Sequence, residues 1–364
     1  MRADPLPLLS RVADSVYWMG RYIERAENVA RFIGVNLNLQ IDLPLAPAQQ
    51  WQPLIDTSGD AGTFKDRFGS ATQARVIEWL AYDTENLSSI ASCLRFAREN
   101  ARSVRETISS EMWAQVNSMY LQIQTQRSLP EPERMLDAFR EIRMGCHLFE
   151  GVTDATMTHN EAWHFMRLGR MLERADKTSR ILDVKYFMLL PSVGDVGTPY
   201  DDIHWSAVLK SVSGFEMYRK KYGRISPPDV VDFLVMDNEF PRAVRFCIKS
   251  ASESLQSVTG TPIGAFRYRS EQLMGQLRAE LDFTSVDTVI RSGLHEYLDR
   301  LQLKMNGIDE GLRDDFAVRT TPVAMSQSQG QSSQGQSSQS QSSQGQSRGQ
   351  SQSQTQTSGA APKP

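Results

Sequence analysis

The chain is short of the features that usually announce chemistry. It holds three cysteines, Cys93, Cys146 and Cys247. None has Cys-x-x-Cys spacing, so the sequence writes no zinc knuckle and no redox dithiol. Each lies in a helical apolar pattern, which predicts buried, reduced thiols and suits a reducing cytoplasm. There is no Gly-rich phosphate loop and no Gly-x-Ser-x-Gly elbow. No apolar run reaches the roughly 18 residues that a membrane span needs. The start, Met1-Arg2-Ala3-Asp4-Pro5, leads into a charged segment rather than the apolar core of a signal peptide. A dominant charge is lacking as well: 40 basic and 43 acidic residues leave a net charge of −3. No global field therefore draws the protein to nucleic acid or to an anionic membrane.

The histidines (147, 159, 164, 204 and 295) fall in no nucleophile–base pattern. Glu161-x-x-His164 has the spacing of a di-iron helix, but such sites need two of these motifs and two further glutamates. A structural His164 is the reading, with no metal and no cofactor expected. The six tryptophans mostly sit in helical patterns, as core or helix-packing residues.

Alternating, strand-like segments are scarce, and long helical periods joined by short loops dominate. The expected fold is an all-α multi-helix bundle over residues 1–316, with a possible internal boundary near 191–200 where Gly and Pro cluster. From Ser326 to Ser358 the chain is almost wholly Ser and Gln, too poor in apolar side chains to offset ordering entropy, and 317–364 is expected to be a disordered tail. Within the bundle, helices are expected over 8–39, 71–81, 89–109, 111–126, 133–157, from Asn160 to before Pro191, and over 201–222. Further helices follow over 226–236, from Pro241 to 258, and over 266–283 and 285–307. Residues 57–69 read as a glycine-bearing loop.

One stretch occurs twice. Gly20-Arg21-Tyr22-Ile23-Glu24-Arg25-Ala26-Glu27 returns as Gly169-Arg170-Met171-Leu172-Glu173-Arg174-Ala175-Asp176. At about 100° per residue, each copy is an amphipathic helix with a small Ala on its core stripe. The bland reading of the polar face is solvent, with i,i+4 pairs Glu24–Asn28, Glu27–Arg31, Glu173–Lys177 and Asp176–Arg180 worth a few tenths of a kcal/mol each. Agreement between the copies argues for more. A solvated face accepts almost any polar residue, so charges repeated in step point to partners. The specific reading has Glu24, Arg25, Glu173 and Arg174 partly buried and facing each other or a ligand. Arg98, Arg102 and Arg105 line one face of the 89–109 helix and are candidate partners for Glu24 and Glu173, by bidentate contacts that suit carboxylate or phosphate.

The doubled Glu-Arg helix resembles the Alpha-E superfamily, a bacterial all-helical domain of unknown function. The 100–105 segment and Phe240-Pro241-Arg242 resemble two further family segments in the same order, and the likeness spans about residues 4–316. The resemblance implies a setting beside circularly permuted ATP-grasp and transglutaminase-like proteins, hence a part in ATP-dependent amide-bond formation or peptide modification. In that picture an ATP-grasp partner performs the phosphoryl chemistry. This chain is then a helical accessory, binding that partner or an acidic substrate through Arg21, Glu24, Arg25, Arg170, Glu173 and Arg174, with Arg98, Arg102 and Arg105. Two rivals remain. One is an enzyme using Glu24 or Glu173 as general base, for which no catalytic residue can be assigned; the other is a purely structural bundle. A cleft converging on both Glu-Arg pairs would favour ligand binding or catalysis. Closed ion pairs beside an exposed apolar patch would favour docking.

Overall fold

A computed structural model describes residues 10–42, 47–58, 60–126, 132–188 and 199–316. Among the described residues there are fifteen α-helices and no strand, so the chain forms the all-α bundle its periodicity predicts. No helix among them is long and apolar enough to cross a membrane. The internal boundary expected near 191–200 and the Ser/Gln tail fall almost wholly outside the described residues.

The helices form two series. The first is α1 (Ser10–Asp42), α2 (Pro47–Ser58), α3 (Ala61–Phe68), α4 (Gln73–Ile77), α5 (Ile90–Ser103), α6 (Ser110–Gln126) and α7 (Pro132–Thr156). The second is α8 (Glu161–Met188), α9 (Pro199–Ser211), α10 (Phe215–Tyr222), α11 (Pro227–Val231), α12 (Val244–Thr259), α13 (Arg269–Asp282), α14 (Val286–Arg291) and α15 (Leu294–Phe316). Both α4 and α11 run on into a π-helical turn, Glu78–Tyr82 and Asp232–Met236. Neighbours repeat as well. α1 packs on α5 as α8 packs on α12; α5–α6–α7 matches α12–α13–α15; α2 reaches across to α8 as α9 reaches across to α1. Only α14 has no counterpart. The duplication legible in one helix therefore extends to the whole domain, with the join at 157–160 and a pseudo-two-fold axis between α1 and α8.

Side chains confirm the match. Phe64 and Phe68 pack on Trp79, and their counterparts Tyr218 and Tyr222 pack on Phe233. Arg67 pairs with Asp83 at 3.0 Å, and Lys221 with Asp237 at 2.6 Å. Gly69 and Gly223, at φ +71° and +76°, end α3 and α10 in the left-handed region that glycine tolerates. Cys93 and Cys247 lie at matching places on α5 and α12; both are buried, and burial pushes each thiol up to about 12. Cys146 is buried too.

Several boundaries differ from the sequence reading, each for a local reason. Residues 61–68 are helix rather than loop, because burying Phe64 under Phe68 and Trp79 outweighs the roughly 1 kcal/mol that Gly62 costs a helix. The 89–109 helix stops at Ser103: Val104 is buried outside the helical basin, and Ser109 then caps α6 through the Met112 amide. The 201–222 helix breaks at Ser213-Gly214, where a Cβ on Gly214 would meet the rings of Phe240 and Phe233. Pro241 lies in the turn before α12 rather than at its first position. The last helix breaks at Gly293, φ +85°. The Asn160 cap forms as read, its Oδ1 accepting the amides of Ala162 and Trp163.

Candidate functional site

Helices α1 and α8 run in the same direction and touch where the repeated glycines sit. A Cβ on Gly20 would collide with the carbonyl oxygen of Met166, and one on Gly169 with that of Tyr17. Tyr17 and Met166 are themselves counterparts, so the contact is symmetric about the axis. This close approach places the Glu-Arg pairs one turn further along opposite each other.

The pairs interlock reciprocally. Arg174 donates Nε to Glu24 Oε1 at 3.0 Å and Nη2 to Oε2 at 2.7 Å. Arg25 donates Nε to Glu173 Oε1 at 2.7 Å and Nη2 to Oε2 at 2.9 Å. Each is the two-pronged geometry in which a planar guanidinium binds a carboxylate most strongly. Arg21 adds Nε to Glu173 at 2.8 Å and pairs with Asp309 of α15. Its counterpart Arg170 pairs with Glu150 of α7 at 3.2 Å. The Glu27–Arg31 and Asp176–Arg180 pairs also correspond. The four i,i+4 pairs read from the sequence all form, but in the interior rather than in solvent.

Burial decides what this set can do. Glu173 and Glu24 are 0% and 3% exposed. Removal from water alone would raise both carboxyl pKa values, but the guanidiniums overcome it. Arg174 and Arg242 hold Glu24, and Arg25 and Arg21 hold Glu173, well below the ordinary carboxylate range. Burial opposes the charge on Arg174, yet Glu24 and Glu150 hold its pKa above the usual guanidinium value. Beside the set lies a notch between α1, α7 and α8. It is lined by Glu24, Glu27, His147, Glu150 and Arg170 and holds about 20 Å³, room for one water. Its counterpart near α15 is closed by the Tyr17 hydroxyl, which accepts from Arg21 and donates to Asp309. Met166 stands in its place here. Among the described residues no group of three His, Cys, Asp or Glu side chains could hold a metal ion.

Of the residues singled out in the sequence, the structure brings together Arg21, Glu24, Arg25, Arg170, Glu173 and Arg174. It does not bring Arg98, Arg102 or Arg105 to them. Arg98 bonds Asn117 at 2.7 Å and lies over Trp113 and Tyr120; Arg105 lies over Trp113 as well, 4.5 Å from its ring centre. Arg102 pairs with Glu99. The row faces α6, and the end of α5 at Ser103 removes Arg105 from it. The partner that Glu24 does use is Arg242, which spans Glu24 at 2.8 Å and Glu27 at 2.9 Å. Arg242 was visible as part of Phe-Pro-Arg, but nothing local to that turn announces an acid 218 positions away. Asp309 and Glu150 were missed for the same reason.

The chain is 25% identical to an uncharacterized protein of Mycobacterium bovis and 25% and 24% identical to two uncharacterized proteins of Mycobacterium tuberculosis. Each match covers 84% of this chain and 36% of the relative, so the chain spans about a third of the length of these proteins. No solved structure matches. The model of the Alpha-E family, a predicted alpha-helical domain with a conserved ER motif, matches residues 8–316, and with its doubled Glu-Arg pairs locked across α1 and α8 the chain belongs to that family.

Proposed function

We propose that this chain is a non-catalytic helical accessory that docks onto an ATP-grasp-type ligase in a transglutaminase-linked system for amide-bond formation or peptide modification. The observation that carries the accessory role is the closure of both Glu-Arg pairs on each other. Glu24 and Glu173 spend their oxygens on Arg174, Arg242, Arg25 and Arg21, in an interior with room for one water. A general base needs an available lone pair and a pKa near the working pH. Both carboxylates are held far below it, which disfavours the enzyme reading. The set instead fastens the two halves of the domain, and recognition is left to the surface. There, Ile263, Phe266 and Phe283 are 74%, 59% and 92% exposed and lie along one groove, the kind of apolar patch that marks an interaction site. The relatives carry the matched region as about a third of a longer chain, which suits a domain that works beside others. The test is co-purification with an ATP-grasp protein encoded beside it, and ATP-dependent ligation assayed with and without this chain. Ligation that needs the full chain supports the reading; ligation indifferent to it, with no co-purification, overturns it.

A further inference from the structure

Matching positions of the two halves share a fold but not a charge. α7 aligns with α15 through Glu150 and Asp309, and the buried Ile142, Cys146, Phe149 and Thr153 then answer to Leu301, Met305, Ile308 and Leu312. In that register Arg140, Arg143 and His147 answer to Asp299, Gln302 and Asn306, as Arg242 answers to Ser88. The positions around Glu173 are balanced: Glu173, Asp176, Asp309 and Asp299 stand against Arg21, Arg25, Lys177 and Arg180. Those around Glu24 are not. Glu24, Glu27 and Glu150 stand among six guanidiniums, Arg31, Arg140, Arg143, Arg170, Arg174 and Arg242. Every oxygen of the three acids is already taken by Arg31, Arg170, Arg174 or Arg242. The cost shows in the arginines. Beside Glu173, acids outweigh burial and raise Arg21, Arg25 and Arg180. Burial and then neighbouring guanidiniums lower Arg31 and Arg143, and no acid raises Arg143. Two buried nitrogens of the set also lack an acceptor, Nε of Arg31 and Nε of Arg170, and Arg170 lines the notch. The fold does not require this surplus, because the other half builds the same corner without it.

We propose that the mouth of the notch is a binding site for a carboxylate on an acidic segment of a partner protein, held by Arg143, His147 and Arg170 with Arg140 adding charge. This rests on the accessory reading above and adds a charged contact to its apolar one. Arg143 and His147 are one helical turn apart on the same edge of α7, and His147 is also a wall of the notch. The notch has room for a single oxygen. A planar carboxylate can place one oxygen there and leave the other on the α7 edge, where a guanidinium meets it in plane; the three oxygens of a phosphate do not divide that way. Met144 and Leu148, both 55% exposed, follow Arg143 and His147 along the helix. They give apolar side chains of the same segment a surface to lie on.

The test uses the full-length chain and a fluorescein-labelled peptide of alternating Glu and Leu with an amidated C-terminus. Its twin has Gln for Glu. Saturable anisotropy is expected with the Glu peptide and none with the Gln twin. Arg143→Gln and His147→Asn install the residues that the other half carries, so the fold is kept. Each should weaken binding about tenfold, and the double variant should abolish it. Without peptide, Arg143→Gln should hold or raise Tm, because it relieves repulsion from Arg140 and Arg242, whereas a structural role would lower it. If it lowers Tm, Arg140→Gln at the exposed rim gives the same reading through weakened binding. Arg224→Gln, which removes the same charge from an exposed position on another element, should bind as wild type. Equal binding of the two peptides, no binding of either, full binding by the double variant, or equal loss with Arg224→Gln overturns the proposal. So does displacement of the peptide by inorganic phosphate at a concentration no higher than that of glutarate, which would make this a phosphate site. A chain that supports ligation but ignores the acidic peptide loses this inference alone; one that binds the peptide while ligation is indifferent to it loses the accessory role alone.

Discussion

Glu173 takes both prongs of Arg25, and the same geometry recurs with the roles exchanged between Glu24 and Arg174. Acid and base alternate across the axis, so neither helix carries a surplus that the other does not meet. The consequence for stability is asymmetric. A buried ion pair contributes little relative to a well-packed apolar pair, but breaking one leaves a charge in the interior with nothing to face.

Glu173→Ala therefore destabilises the domain rather than merely emptying a site. It strands Arg25 beside a hole and takes one of two acids from Arg21, which keeps Asp309, and from Lys177, which keeps Asp176, at a cost of about 3 kcal/mol. Arg25→Ala costs less, since Glu173 keeps Arg21 and Lys177 and Arg25 is the more exposed member of the pair, at 17%. Urea unfolding followed by circular dichroism ranks the two. A Glu173→Ala protein within about 1 kcal/mol of wild type would remove the interlocking account, because that is the size of an ordinary surface pair.

The glycines make a sharper test. Gly20→Ala and Gly169→Ala each drive a methyl group into a backbone carbonyl, which cannot rotate away as a side chain can. Each should cost about 1–3 kcal/mol by forcing α1 and α8 apart. The separation is shared, so the double variant should cost clearly less than the sum of the singles. Additive losses would mean that the two contacts are independent and the axis is not a single hinge of packing.

How much of this was legible beforehand follows from distance along the chain. The helical period, the Asn160 cap and the copied Gly-Arg-x-x-Glu-Arg are local or repeated patterns, and the sequence displays them openly. The wider duplication left traces as well: Phe64, Phe68 and Gly69 answer to Tyr218, Tyr222 and Gly223, and Cys93 to Cys247. Those traces were missed because Gly62 and Gly69 make 57–69 look like loop when taken alone. Only the aromatic contact with Trp79, supplied by tertiary packing, overrides that reading. Arg242 and Asp309 were out of reach altogether. A turn arginine and a helix aspartate look solvated until the fold brings them to Glu24 and Arg21. The arginine row on α5 misled for the converse reason: its partners are aromatic rings, which charge patterning does not reveal.

The carboxylates also set a pH dependence. Glu24, Glu173, Glu150 and Asp176 all titrate below their ordinary values in the fold: burial opposes the shift and the guanidiniums or Lys177 overcome it. Lowered folded pKa values mean that the unfolded chain binds protons first on acidification. Their contribution is complete above the ordinary glutamate value of 4.5 and is lost progressively below it. The urea midpoint should accordingly fall steeply between about pH 4.5 and 2.5 and be nearly flat for these groups from 5 to 7. Glu24→Gln, if it folds, should start from a lower plateau and show a shallower acid slope. An unchanged slope would mean that Glu24 shares the acid sensitivity of an ordinary surface carboxylate.

Arg242 offers the most discriminating substitution, because the first half shows what its absence looks like. Its counterpart is Ser88, which touches Arg25 at 3.4 Å while Glu173 relies on Arg21, Arg25 and Lys177. Arg242→Ser would leave Glu24 with Arg174 and Asn28, and Glu27 with Arg31. Neither acid is stranded, so the loss should be about 1.5–3 kcal/mol, that of charged hydrogen bonds rather than of an orphaned charge. Part of it is returned, since Arg242 disfavours the charge on Arg31 and its removal relieves that repulsion. Losing a cation also lets the Glu24 pKa rise, which moves the acid transition to higher pH. Arg242→Lys should restore little, because an ammonium cannot span Glu24 and Glu27 with two in-plane donors. Full rescue by Lys would show that charge alone matters here and that the fork geometry does not.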